Sequence, residues 1–178
     1  MNQNTHHYFG QADGMYVSTT DYGNNTVVGK YVTSNGARIY YEVYGQGTPI
    51  VLLHGGLVGS PAEMGELADH LKDNHQVILI ATRGHGRSEI GHTTMSFEQK
   101  ADDVHAVLKD GADVFDAVKA KTLVLAGEKD ANAPLQTVID AYHLLPDAEL
   151  GIVPNAPHPV LITDFDQAWP MIEKFLAK

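Results

Sequence analysis

Cysteine is absent from the 178-residue chain, which rules out disulfides, thiolate metal sites and a cysteine nucleophile. Long apolar runs are missing too: the stretches 77–81 and 122–126 fall far short of the roughly 20 residues that cross a bilayer. Basic residues are scarce. Twelve Lys and Arg stand against 22 Asp and Glu, giving a formal charge of −10 with the acidic residues scattered along the chain. The long-range field of such a chain repels nucleic acid and anionic membrane, so neither is expected as a partner. The ten histidines include no H-E-x-x-H and no tight cluster with carboxylates, and Gly84-His85-Gly86 lacks the further glycines and the Lys-Ser/Thr of a phosphate loop. No metal or other cofactor is expected. A basic n-region followed by an apolar h-region is also lacking at the start, so the expectation is a cytoplasmic protein or an exported one whose signal is already removed.

What is present, 43% apolar and 19% charged residues, suits one globular domain that buries a core without covalent staples. Residues 1–28 are rich in Asn, Thr, Gly, Tyr and His without periodicity and read as a polar, flexible leader. From residue 29 the pattern sharpens. Two β-rich runs, 30–33 and 37–44, flank Ser34-Asn35-Gly36, the signal of a hairpin. The run 49–53 is continuously apolar between breakers, as in a strand covered on both faces of a parallel sheet. Residues 61–73 follow with apolar positions at helical spacing and Pro61 near the first turn, then a buried strand at 76–81, then a helix over 96–109 capped by Ser96. The second half repeats the rhythm: a short helix at 114–120, a strand at 122–126, a helix at 135–145, a strand at 149–153 and a terminal helix at 164–178 that Pro170 should kink or shorten. Strands alternating with helices imply an α/β fold with a mostly parallel sheet, helices on both faces and the hairpin at one edge.

Acyl transfer needs a nucleophile, a base, an acid that orients the base and donors for the developing oxyanion. Candidates exist for three of the four. His54-Gly55-Gly56 ends a buried strand in a tight turn, where the amides of Gly56 and Leu57 are the best oxyanion donors; an ordinary glycine turn is the alternative. Asp130 lies just past the 122–126 strand, at the sheet end where ligand-binding groups gather, although a turn or cap aspartate has the same appearance. His158 sits in the breaker-rich loop Pro154-Asn155-Ala156-Pro157-His158-Pro159, which can hold an imidazole outward.

Four ordered blocks carry a resemblance: Ile50-Val51-Leu52-Leu53-His54-Gly55-Gly56, Thr82-Arg83-Gly84-His85-Gly86-Arg87-Ser88, Thr122-Leu123-Val124-Leu125-Ala126-Gly127-Glu128-Lys129-Asp130 and Val153-Pro154-Asn155-Ala156-Pro157-His158. From about residue 29 to the C-terminus the chain resembles the α/β-hydrolase superfamily, in particular its small-molecule esterase, lipase and C–C hydrolase-like members. The resemblance implies Asp130 as triad acid, His158 as triad base, Gly56 and Leu57 as the first half of an oxyanion hole, and a small-molecule substrate.

The serine that this family requires is not found. No G-x-S-x-G occurs, and the sequence passes from Val107-Leu108-Lys109-Asp110 almost directly to Gly111-Ala112-Asp113, which marks the segment between Asp110 and Asp113 as the joint of a missing elbow and lid. Among the five serines only Ser88, in Gly86-Arg87-Ser88-Glu89-Ile90, approaches the motif, with Ile90 where the second glycine belongs. Ser60 reads as a helix cap. Direct activation of water by Asp130 and His158 would lack half of the oxyanion hole. Two classes therefore follow: a hydrolase of small esters or related carbonyl compounds, impaired or inactive as it stands, or a non-catalytic α/β-hydrolase-like binding or scaffold protein. Apolar faces left uncovered by the missing block would favour a homodimer.

Overall fold

At the Asn35-Gly36 pair φ is 42° and 78°, the left-handed backbone of a two-residue hairpin turn that only such residues adopt readily. The turn joins β1 (Lys30–Ser34) to β2 (Ala37–Tyr44) in register from Ser34↔Ala37 to Lys30↔Tyr41. The computed structural model describes residues 11, 14–56, 59–111, 121–145 and 147–178, which fall into two compact units, 1–116 and 117–178. The expected helix at 114–120, Leu57, and residues 112–113 of the expected joint lie outside the described residues.

In the first unit β3 (Thr48–Leu53) leads through a 3₁₀ turn (Pro61–Met64) and α1 (Gly65–Leu71) to β4 (His75–Ile80), which pairs parallel with β3 and antiparallel with β2. The strand order is β1-β2-β4-β3. The single helix expected over 61–73 is thus a 3₁₀ turn followed by a short α-helix. Ser60 occupies its N-cap position without a side-chain cap; the Ser60 carbonyl instead accepts the Glu63 N–H at 3.1 Å. Ser96, by contrast, caps α2 (Phe97–Gly111) as its sequence predicts, accepting the Gln99 N–H at 3.1 Å.

Strand alternation divides this core into two layers. On one face Ile39, Tyr41, Ile78 and Ile80 pack with Val107 and Leu108 of α2. The neighbouring positions Tyr40, Glu42, Val77 and Leu79 are equally buried and point to the opposite face, and α1 packs against β4. There the supposedly flexible leader is fastened down, at least in part. Glu42 is fully buried, and its carboxylate accepts the Gly23 and Asn25 N–H groups, each at 2.9 Å, with the Tyr40 and Tyr44 hydroxyls at 2.7 and 2.8 Å. Tyr22 is 2% exposed and donates to Asp69 of α1 at 2.8 Å, as does Tyr16 at 2.9 Å. Burying an ionisable carboxylate is tolerable only because every lone pair is engaged.

In the second unit β5 (Thr122–Gly127) and β6 (Ala148–Val153) pair in parallel, from Thr122↔Ala148 to Gly127↔Val153. They are linked through α3 (Leu135–Leu144) and followed by the short α4 (Val160–Thr163) and by α5 (Phe165–Leu176). Among the described residues these two strands form a sheet of their own. Both α3 and α5 pack on them, with Val153, Ala156, Val160 and Ala168 as the buried core. A Cβ on Gly151 would stand 2.9 Å from Leu125 and 3.1 Å from Met171, so the bare backbone there lets α5 settle onto the strand. Pro170 does not end α5, which continues to Leu176.

Candidate active site

The loops that leave β5 and β6 are stitched to each other by main-chain bonds. Glu128 N–H donates to the Val153 carbonyl and Lys129 N–H to the Ala156 carbonyl, both at 2.9 Å, while the Glu128 carboxylate accepts the Asn155 N–H at 2.9 Å. Asn155 makes the turn with φ of 59°, a left-handed conformation that asparagine tolerates. Gly127 lets the second loop pass: a Cβ there would lie 2.4 Å from the Ala156 carbonyl oxygen.

This stitching brings Asp130 and His158 together. Asp130 Oδ2 lies 2.8 Å from His158 Nδ1, and Asp130 Oδ1 accepts the N–H groups of Asn132 and Ala133, both at 2.8 Å. The Asp130 side chain is 7% exposed and the His158 side chain 46%. Burial works against ionisation of Asp130, yet the hydrogen bonds from Ala133, His158 and Asn132 outweigh it and hold the carboxyl below the usual carboxylate range. An ionised acceptor at Nδ1 keeps the proton on that nitrogen and directs the Nε2 lone pair outward. The pair can therefore orient and charge an imidazole for proton transfer or attack.

The other sequence candidates lie in the first unit. Gly56 is exposed at the end of β3, in a turn where its carbonyl accepts the Gly59 N–H at 3.1 Å; among the described residues its own N–H has no partner. The Gly55 N–H is taken by the Glu63 carboxylate. Ser88 is buried and its hydroxyl is engaged twice, donating to the Ala81 carbonyl at 2.6 Å and accepting the Tyr40 N–H at 2.8 Å. It joins the R-G-x-G turn to β2 and β4, as a structural serine would.

Gly56 also lines a cavity of about 340 Å³ at the ends of β3 and β4, walled by Leu53, Ile80, Ala101 and Val104 and by the polar groups of His54, Thr82, Arg83, Lys100 and Asp103. His54 was not singled out as a functional side chain by the sequence, and here it is a buried brace. The Thr82 N–H donates to its Nε2 at 3.0 Å, so that nitrogen is an acceptor and Nδ1 carries the proton given to the Gly55 carbonyl at 2.7 Å. Burial pushes its pKa down, in keeping with a neutral ring. Because the single Nε2 lone pair already takes the Thr82 amide, His54 is a poor base for the Thr82 hydroxyl 3.1 Å away. A histidine directly after a buried strand and before two glycines was the available signal for this role. No group of three or more metal-binding side chains occurs among the described residues, and none of their helices is long and apolar enough to cross a membrane.

No family model matches the chain. Its fold superposes on that of a thermophilic esterase from Thermogutta terrifontis with a TM-score of 0.73 at 13% identity, over 84% of this chain and 98% of that one. In sequence it is 36% identical over 75 residues, 41% of its length, to the uncharacterized hydrolase YraK of Bacillus subtilis (strain 168). It is also 32% identical over 78 residues, 44% of its length, to the non-heme chloroperoxidase CPO-A1 of Kitasatospora aureofaciens. The fold is that of a reduced α/β-hydrolase. These matches take in 27% and 28% of the curated relatives' lengths, so the chain spans less than a third of each. Most of these relatives and structural neighbours are named as hydrolases or esterases.

Proposed function

We propose that this chain is a member of the α/β-hydrolase superfamily derived from enzymes that hydrolyse small esters or related carbonyl compounds, and that the chain as it stands has no serine-based activity. The observation that carries the reading is the 2.8 Å bond between Asp130 and His158, an oriented acid and base in a chain without a G-x-S-x-G nucleophile. Two features support it. The names of the relatives as hydrolases and esterases give the reaction class. The hydroxyl of Ser88, the nearest approach to the motif, is spent on main-chain partners, so a nucleophilic role would cost it both bonds. By the sequence resemblance alone, Gly56 and Leu57 correspond to the first half of the family's oxyanion hole.

A fluorophosphonate probe followed by intact-mass measurement tests the proposal. The folded chain is expected to keep its unmodified mass. A stoichiometric adduct that disappears with His158→Ala would overturn it and reveal an activated serine.

A further inference from the structure

The Asp130–His158 pair is complete without any serine, and the His158 side chain is 46% exposed. We propose that His158 Nε2 is itself a nucleophile toward activated acyl esters, such as aryl acetates, giving the chain an acyl-transfer activity of its own. The inference rests on the incomplete-triad reading above, and the two are tested separately.

Three features single out His158. Its ring is 46% exposed, so a small planar ester can reach it. Among the described residues Nε2 has no hydrogen-bond partner, whereas Nδ1 is held at 2.8 Å by Asp130. Asp130 in turn is fixed by two main-chain donors at 2.8 Å, so the tautomer with the proton on Nδ1 is imposed by the backbone rather than sampled. The contrast within the chain is informative. His54 has its Nε2 occupied by the Thr82 amide and its ring buried, and the Nδ1 of His70 faces a main-chain carbonyl, that of Glu66 at 2.9 Å.

In the reaction the Nε2 lone pair attacks the acyl carbon, and the carbon–oxygen bond breaks with its electron pair leaving on the phenolate. The ring becomes an acyl-imidazolium whose positive charge faces the Asp130 carboxylate through the Nδ1 proton. Water then adds to the acyl carbon, the carbon–nitrogen bond breaks with its electrons returning to Nε2, and the carboxylate departs with both of the water's protons released to solvent. No oxidant or cofactor enters. Attack by a neutral imidazole needs a good leaving group, which confines the substrate class to activated esters.

The test uses the full 178-residue chain. Hydrolysis of p-nitrophenyl acetate gives the second-order rate constant, and brief treatment with diethyl pyrocarbonate followed by peptide mapping gives the order in which histidines acylate. His158 is expected to react first, and its modification to abolish most of the esterase rate. His158→Ala should lower that rate by about tenfold, and Asp130→Asn should lower it less, because the ring would keep its nucleophilic nitrogen but lose the group that fixes its tautomer. Earlier acylation of another residue in the unaltered protein, or an unchanged rate once His158 is acylated, would overturn the proposal without recourse to a variant. Fluorophosphonate labelling, on the other hand, sinks the reading without a serine; inhibition of ester hydrolysis by that label would take the activity from His158 as well.

Discussion

The Arg83 guanidinium holds the Asp103 carboxylate through two bonds, Nε to Oδ2 at 2.9 Å and one terminal nitrogen to Oδ1 at 2.6 Å, with both side chains almost wholly buried. The same terminal nitrogen reaches the Ser34 carbonyl at 2.8 Å, and Gln99 donates to Asp103 at 3.1 Å, so one fork joins the turn after β4, the β1–β2 hairpin and α2. Replacing Asp103 by Leu should cost about 3–5 kcal/mol, because the guanidinium would remain buried without its counter-charge. Urea unfolding measures this. An undiminished midpoint would mean that water reaches Arg83.

Glu42 poses the same problem with the charge reversed. In Glu42→Gln one oxygen becomes an amide nitrogen that cannot accept from the N–H and O–H donors around it. Loss of about 1–3 kcal/mol is expected, with faster amide hydrogen exchange at Gly23 and Asn25. Unchanged exchange at both amides would show that the 14–29 segment is held elsewhere.

Gly127→Ala places a Cβ against the Ala156 carbonyl oxygen, 2.4 Å away, and within 2.9 Å of the Pro157 carbonyl oxygen. Neither carbonyl can yield without moving the loop that carries His158. A destabilisation of about 1–3 kcal/mol is expected. Nitrogen NMR of the His158 ring should report loss of the fixed tautomer, and a ring signal identical to that of the unaltered chain would refute the link between Gly127 and the pair.

His54 gives a pH dependence with a definite sign. Its pKa is pushed down in the folded protein, chiefly by burial, so the unfolded chain binds the proton more readily. The stabilisation from neutral His54 is complete above the unfolded value of about 6.5 and is lost as pH falls toward the lower folded value. Unfolding measured between pH 7.5 and about 5 should therefore show declining stability, with a shallower decline in His54→Gln. Equal slopes in the two proteins would assign the decline to other groups.

Much of this architecture can be read from local pattern. The Asn-Gly turn, the alternation of strands and helices and the Ser96 cap depend on residues close together in sequence, and each is found where those residues place it. Asp130 and His158 were legible because each follows a recognisable strand, and short loops carry the two residues within reach of each other. What escaped depends on partners distant in sequence. The segment around Tyr22 looks polar and aperiodic, and it is ordered by distant partners, the Glu42 carboxylate for Gly23 and Asn25 and Asp69 for Tyr22. The roles of His54 and Ser88 are likewise set by main-chain groups of Thr82, Ala81 and Tyr40, which no local motif encodes. The separation of β5 and β6 into their own sheet is also invisible to periodicity, which identifies a strand but not its neighbour.

The anchoring of Tyr16 and Tyr22 bears on where this domain can be cut. A trimmed version starting at residue 29, where strand-like patterning begins, would strip two amide donors from a carboxylate sealed inside the protein and two phenols from Asp69 on α1. The working boundary of the first unit thus lies no later than Tyr16, ahead of a stretch that looks dispensable by composition yet caps a buried carboxylate.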